Sequence, residues 1–217
     1  MLQIILFVPL QQNKQTLLVM NKQKLYCFSH CLFDMEMEKR GWFNGEGFPM
    51  NGVAVISICS QNDGDSKHWF DNDYCPDRIL NIDFDDVSPQ LWWSGYSNDW
   101  KANEDYYDSA AELFLKDDIE GAGKPFNTHY TNNIGHGVYL HALDYFDAKR
   151  IVDFINNNIN CDFFIHCSAG VSRSQGIVRY ILDTYKDINW ETKEDNPCVC
   201  PNIHVVRMLK RINYLEM

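Results

Sequence analysis

The chain has 217 residues, 45% of them hydrophobic and 14% aromatic, which is enough for one folded domain and too much for an intrinsically disordered chain. Its 30 acidic and 19 basic side chains leave a formal charge of −11. A broad nucleic-acid or anionic-membrane surface is excluded, because both need clustered Lys and Arg.

Residues 1–10 carry a short apolar run but neither a basic leading region nor a small-residue cleavage site, so they do not read as a secretion signal. No apolar run approaches the roughly 20 residues of a membrane span. The eight cysteines therefore read as reduced thiols of a cytoplasmic protein. Met20 is a candidate natural start, which makes 1–19 a non-core extension and 20–217 a single domain.

Residues 25–28 (LYCF) and 52–60 (GVAVISICS) are short apolar runs that read as buried strands. Between them, 41–52 holds four glycines and a proline and reads as a loop. The alternation in 78–84 (RILNIDF) predicts another strand, ending in Asp85 and Asp86. A long stretch of irregular aromatic and acidic composition follows over 87–141, with 109–120 as a candidate helix capped by Ser109. Residues 142–157 space Leu143, Phe146, Ile151, Phe154 and Ile155 as one helical face, with Asp144 or Asp147 near its start. A short buried strand at 161–165, a helix at 176–185 and a closing amphipathic helix at 204–214 complete the chain. Strands alternating with helices predict an α/β fold in which helices flank a central, mostly parallel sheet.

The chemistry concentrates in His166-Cys167-Ser168-Ala169-Gly170-Val171-Ser172-Arg173-Ser174, between the strand at 161–165 and the helix at 176–185. A Cys and an Arg six positions apart are a weak signal in a chain with eight Cys and seven Arg. A preceding His, a Gly three after the Cys and a Ser after the Arg make it a strong one. A strand that turns directly into a helix leaves backbone N–H groups converging on one spot. Gly170 permits the tight curl in which the amides from Ser168 through Ala169, Gly170, Val171 and Ser172 to Arg173 form an anion-binding nest. Arg173 adds a planar, bidentate grip on phosphate oxygens. The same positive field favours the thiolate of Cys167, a nucleophile.

This segment resembles the signature loop of the cysteine-dependent protein tyrosine and dual-specificity phosphatases, and a gapped resemblance runs from about Gly52 to the C-terminus. The resemblance implies a protein tyrosine phosphatase-like fold and a two-step reaction in which Cys167 forms a phosphocysteine that water hydrolyses. It implies that Ser174 assists breakdown of that intermediate and that His166 tunes the thiol through hydrogen bonding. It also implies a carboxylic acid that protonates the leaving group, at the end of a strand that Asp86 matches best. Asp85 is a close second, and Asp83 is expected to face the other way. Asp99, Asp105 and Asp144 remain alternatives, since about 80 residues separate Asp86 from Cys167. That spacing exceeds the family's usual one and implies an insertion at about 88–141, before the last helix–strand–phosphate-loop unit. No metal or organic cofactor is implied.

Small, uncharged Ser168, Ala169, Val171 and Ser172 favour a phosphorylated protein or peptide over inositol phospholipids, whose phosphatases tend to carry Lys or His there. RNA 5′-triphosphatase relatives typically have Asn where this chain has Ser172. A phospho-binding module without catalysis is the reading from another class, and a phosphatase acting on a nucleotide or RNA 5′ end is a third. Residues 61–120 hold 16 acids against 4 bases, while the rest of the chain is nearly neutral, with 14 acids and 15 bases. If that segment flanks the pocket, it favours substrates with basic residues around the phosphate.

Other groups have plainer readings. Cys27-x3-Cys31 with His30, and Cys198-x-Cys200 with His204, would make a zinc site if the two segments met, but apolar packing is the expectation. His129, His136 and His141 read as scattered surface histidines. Trp92, Trp93, Tyr96 and Trp100 suit either a peptide-binding wall or a hydrophobic anchor for the insertion.

Overall fold

The most apolar runs in the chain become adjacent strands of one parallel sheet, because only a strand covered on both faces can bury such continuous hydrophobic sequence. The computed structural model describes residues 22–60, 67–86, 127–131, 137–141, 143–194 and 196–215. The 1–19 extension, the candidate helix at 109–120, the tryptophan-rich cluster, Asp99, Asp105 and His136 lie outside them.

The strands are β1 (Gln23–Ser29), β2 (Val53–Cys59), β3 (Ile79–Asp83), β4 (Asn127–Thr131), β5 (Gly137–His141), β6 (Asp162–Cys167) and β7 (Trp190–Glu194). The helices among the described residues are α1 (His30–Arg40), α2 (Tyr145–Asn157), α3 (Arg173–Thr184) and α4 (Ile203–Leu215). Five strands form one sheet in the order β3-β2-β6-β1-β7, with every neighbouring pair parallel. β4 and β5, which carry His129 and His141, form a separate antiparallel hairpin within the stretch expected to be irregular.

Alternate side chains of the sheet enter two cores. On one face, Ile56, Ile58, Phe163 and Ile165 pack with Ile151 and Ile155 of α2, Ile177 and Ile181 of α3 and Leu209 of α4. On the other, Phe28, Val55 and Phe164 pack with Phe33 and Met37 of α1 and with Trp42, Phe48 and Phe70 from the connecting segments. β1 and β6 are neighbours, yet the helices that follow them lie on opposite faces. They form a topological switch point, the place where open α/β sheets leave a crevice at the carboxyl ends of their strands.

Two elements escape the sequence pattern. α1 buries only Phe33 and Met37, one helical turn apart, so HCLFDMEMEKR shows no continuous apolar stripe. Its end is marked instead by Gly41 at φ 68°, whose N–H returns to the Glu38 carbonyl. β7 (WETKE) is short and polar, and it is held by backbone pairing to the edge of β1.

α4 is tied to the start of α2 by the buried ring of His204, whose Nε2 donates to the Leu143 carbonyl at 3.1 Å. Burial pushes this imidazole down to about 4, with the Leu143 carbonyl opposing and Arg207 and Arg211 assisting. An unfolded His binds its proton near 6.5. The shifted ionisation therefore adds no pH dependence to stability well above pH 6.5. Between 6.5 and about 4 the unfolded chain takes up a proton that the folded one refuses, so stability falls with pH, by about 3 kcal/mol in total for this group. His204→Gln should flatten the decline in urea-unfolding free energy between pH 6.5 and 4.5 by up to about 1.4 kcal/mol per pH unit. An unchanged slope would show that His204 is not held neutral.

Candidate active site

The turn after β6 is shaped by its contact with the end of β1. Ser29 and Cys167 are paired across the two strands, and the His30 N–H donates to the Ser168 carbonyl at 3.0 Å. Gly170 stands at φ 69°, and a Cβ there would lie 2.6 Å from the Ser29 nitrogen and 2.7 Å from the Phe28 carbonyl carbon. Both the backbone conformation and the lack of space demand glycine. α3 then begins at Arg173, three residues before the expected start at Gly176, so its amino-terminal amides open onto the loop.

Cys167 is 2% exposed, with its Sγ 3.1 Å from the hydroxyl of Ser174, which is buried in the first turn of α3. The thiol of Cys27, one strand over, donates to the same hydroxyl at 3.2 Å. The Ser174 hydroxyl, with one hydrogen and two lone pairs, can meet both thiols at once. Arg173 is 3% exposed, and its Nη1 donates to the Phe84 carbonyl at 2.9 Å, which ties the head of α3 to the end of β3.

The acidic residues after β3 separate cleanly. Asp86 reaches the loop: its Oδ1 accepts from Ser172 Oγ at 2.7 Å and from Asn202 Nδ2 at 2.7 Å. Asp85 is buried and accepts from the Ser60 hydroxyl instead. Asp83 points to the face covered by α1, where it meets His68. Asp144 caps α2, accepting from the Asp147 N–H at 2.8 Å. Among the described carboxylates weighed from sequence, Asp86 is the one on the loop.

No family model matches the chain, and no curated protein matches it.

His166 is fully buried, stacked on Phe33 with ring centroids 4.1 Å apart. Its Nε2 lies 2.7 Å from the Ser57 hydroxyl, which lies 2.7 Å from Nδ1 of His68, whose Nε2 lies 2.9 Å from Asp83. Burial holds His166 well below the ordinary imidazole range, helped by His30, His68 and Arg173. Its Nδ1 makes no full hydrogen bond, although the Cys167 backbone weakly favours its charged form. A neutral ring can orient the loop but brings no charge to it.

Sequence reading did not single out Asn202, Ser57 or His68 for the site. Asn202 was legible: Pro201-Asn202 before an amphipathic run is a helix start, and its Oδ1 accepts from the Val205 N–H at 3.1 Å. Ser57 and His68 carried no local signal. The two halves of the possible zinc site are not brought together: Cys27 faces Ser174, His204 faces the Leu143 carbonyl, and Cys31, Cys198 and Cys200 are exposed.

Gly170→Ala should lower unfolding free energy by about 2 kcal/mol or more, from a positive φ and a backbone overlap combined. Ala169→Gly, one residue earlier, should cost clearly less in the same denaturation measurement. Equal effects would mean that the loop does not press on β1.

Proposed function

We propose that this protein is a cysteine-dependent phosphomonoester hydrolase of the protein tyrosine or dual-specificity phosphatase type, acting on a phosphorylated protein or peptide. The observation that carries the reading is the hydrogen bond from Ser172 to Asp86. It puts a carboxyl group on the loop that opens with Cys167 and closes on Arg173. The protein tyrosine phosphatase-like form of the fold belongs to the same proposal, supported by the chain order: an acid-bearing strand, a long interval read as an insertion, then α2, β6, loop and α3.

In this reading the loop amides and Arg173 bind the phosphoryl dianion and neutralise charge that grows in the transition state. The Cys167 thiolate attacks phosphorus, the bond to the leaving oxygen breaks, and that oxygen takes the proton of Asp86. Water then attacks the phosphocysteine, giving its proton to the Asp86 carboxylate as the S–P bond breaks. Ser174 donates its hydroxyl hydrogen to the departing thiolate, while Cys27 holds that hydroxyl in orientation. Asn202, fixed as the cap of α4, holds Asp86 against the loop.

Wild-type protein should hydrolyse an aryl phosphate in the presence of chelator, and Cys167→Ser should abolish the reaction. Retained activity in that variant would sink the proposal, as would tight phosphopeptide binding with no phosphate release by the wild type. Asp86→Ala should lower turnover by about 10²–10⁴. Asp85→Ala and Asp144→Ala should not. Peptides with basic residues around the phosphate should be turned over faster than acidic ones, with the gap closing as salt rises. Equal rates on both would place the acidic 61–120 segment away from the pocket.

A further inference from the structure

Outside the proposed catalytic residues, one group of side chains has the composition of a metal site. Cys59 ends β2 and Asp83 ends β3, and the two are paired across the parallel strands, so their side chains leave the sheet side by side. His68, from the segment between those strands, brings its ring to the same place. Among the described residues, one ligand atom from each of these three lies within 4.8 Å of the others. Zinc bonds of about 2.0–2.3 Å in a tetrahedron hold ligand atoms roughly 3.3–3.8 Å apart. Closing the cluster onto an ion therefore needs shifts of about 1 Å or less.

A second observation orients the ring. His68 Nδ1 is engaged by the Ser57 hydroxyl at 2.7 Å, which leaves Nε2 directed at Asp83, 2.9 Å away. A hydrogen-bonded distal nitrogen is the usual second partner of a metal-bound imidazole, because it sets the tautomer and fixes the ring plane. The Asp83 side chain is 65% exposed, so solvent has access for entry and for a fourth, water ligand. Thiolate with imidazole and carboxylate selects zinc over magnesium or calcium.

We propose that Cys59, His68 and Asp83 bind one zinc-like divalent cation, and that its occupancy is relayed through Ser57 and His166 to the Cys167 loop. Without the ion, and with His68 neutral, His68 Nε2–H donates to the Asp83 carboxylate. Nδ1 then accepts from the Ser57 O–H, whose oxygen accepts from His166 Nε2–H. With the ion, the Cys59 S–H bond breaks and its proton leaves to solvent as the S–metal bond forms. His68 Nε2 binds the metal, so the ring proton resides on Nδ1 and donates to Ser57. The Ser57 hydrogen turns to His166 Nε2, and the His166 proton moves to Nδ1, beside the Cys167 backbone. The His68–Asp83 hydrogen bond gives way to the two metal bonds, the His68–Ser57 and Ser57–His166 hydrogen bonds reverse, and one proton is released. The metal site stands independently of the phosphatase reading; the consequence for Cys167 reactivity rests on it.

The test is a cobalt titration of the Cys167→Ser protein, which removes the nucleophile as a competing thiolate and needs no activity. One Co²⁺ per chain should bind with tetrahedral visible bands and a thiolate charge-transfer band, and zinc should displace it. Cys59→Ser should abolish the charge-transfer band, and His68→Ala and Asp83→Asn should each weaken binding at least 10-fold. Substituting Ser for both Cys198 and Cys200 should change nothing. If Cys59→Ser does not fold, the other two variants decide. Unchanged affinity in His68→Ala and Asp83→Asn, or binding without a thiolate band, overturns the site. For the relay, ¹⁵N spectra should move the His166 proton from Nε2 to Nδ1 on zinc addition, and Ser57→Ala should prevent it. A His166 tautomer that ignores zinc overturns the coupling.

Discussion

The close approach of the β6–α3 turn to the end of β1 is the constraint on which the candidate site depends. Gly170 lies against the Phe28–Ser29 backbone with no room for a methyl group. That contact sets where α3 can start, because the turn has only Ser168 to Ser172 in which to reverse from strand to helix. Once α3 starts at Arg173, the rest is geometry. Ser174 falls beneath Cys167, Arg173 reaches the end of β3, and Ser172 is turned toward Asp86. The parallel pairing of β1 with β6 therefore does more than bury Leu25, Phe163 and Ile165. It supplies the floor on which the loop is bent.

Polar groups at the site are held by one another, and this divides the roles of similar residues. Ser57, Ser172 and Ser174 each bridge two elements, to His166, Asp86 and Cys167 respectively. The buried bonds among them, Ser57–His166 and Ser174–Cys167, restrict their members to few orientations. Asp85 and Asp86 are adjacent in sequence, yet one is buried against Ser60 while the other lies on the loop. Both lie past the end of β3, and different hydrogen-bond partners separate them. Within β3, alternation puts Asp83 beside Cys59, where it meets His68.

Much of this was written locally. The runs that became β2, β3 and β6, the amphipathic faces of α2 and α4, and the Cys-to-Arg loop between strand and helix were legible, because each rests on residue type at fixed spacing. α1 and β7 were not, since neither carries a hydrophobic period: α1 is held by Phe33 and Met37, and β7 by backbone hydrogen bonds to β1. The early start of α3 was hidden too, because Arg-Ser-Gln reads as loop until the turn before it is seen to be closed by Gly170.

The sequence by itself determined that the chain has a parallel α/β core and that a thiol, a guanidinium and a hydroxyl share one turn, because these follow from periodicity and from offsets of a few residues. Only the tertiary structure decided which carboxylate meets that turn, and that Cys27, Asn202 and the Ser57–His68–Asp83 chain surround it. Those partners lie from about 30 to 140 positions away from the turn in the chain. They are joined by strand register and helix packing, which no local pattern of residues encodes.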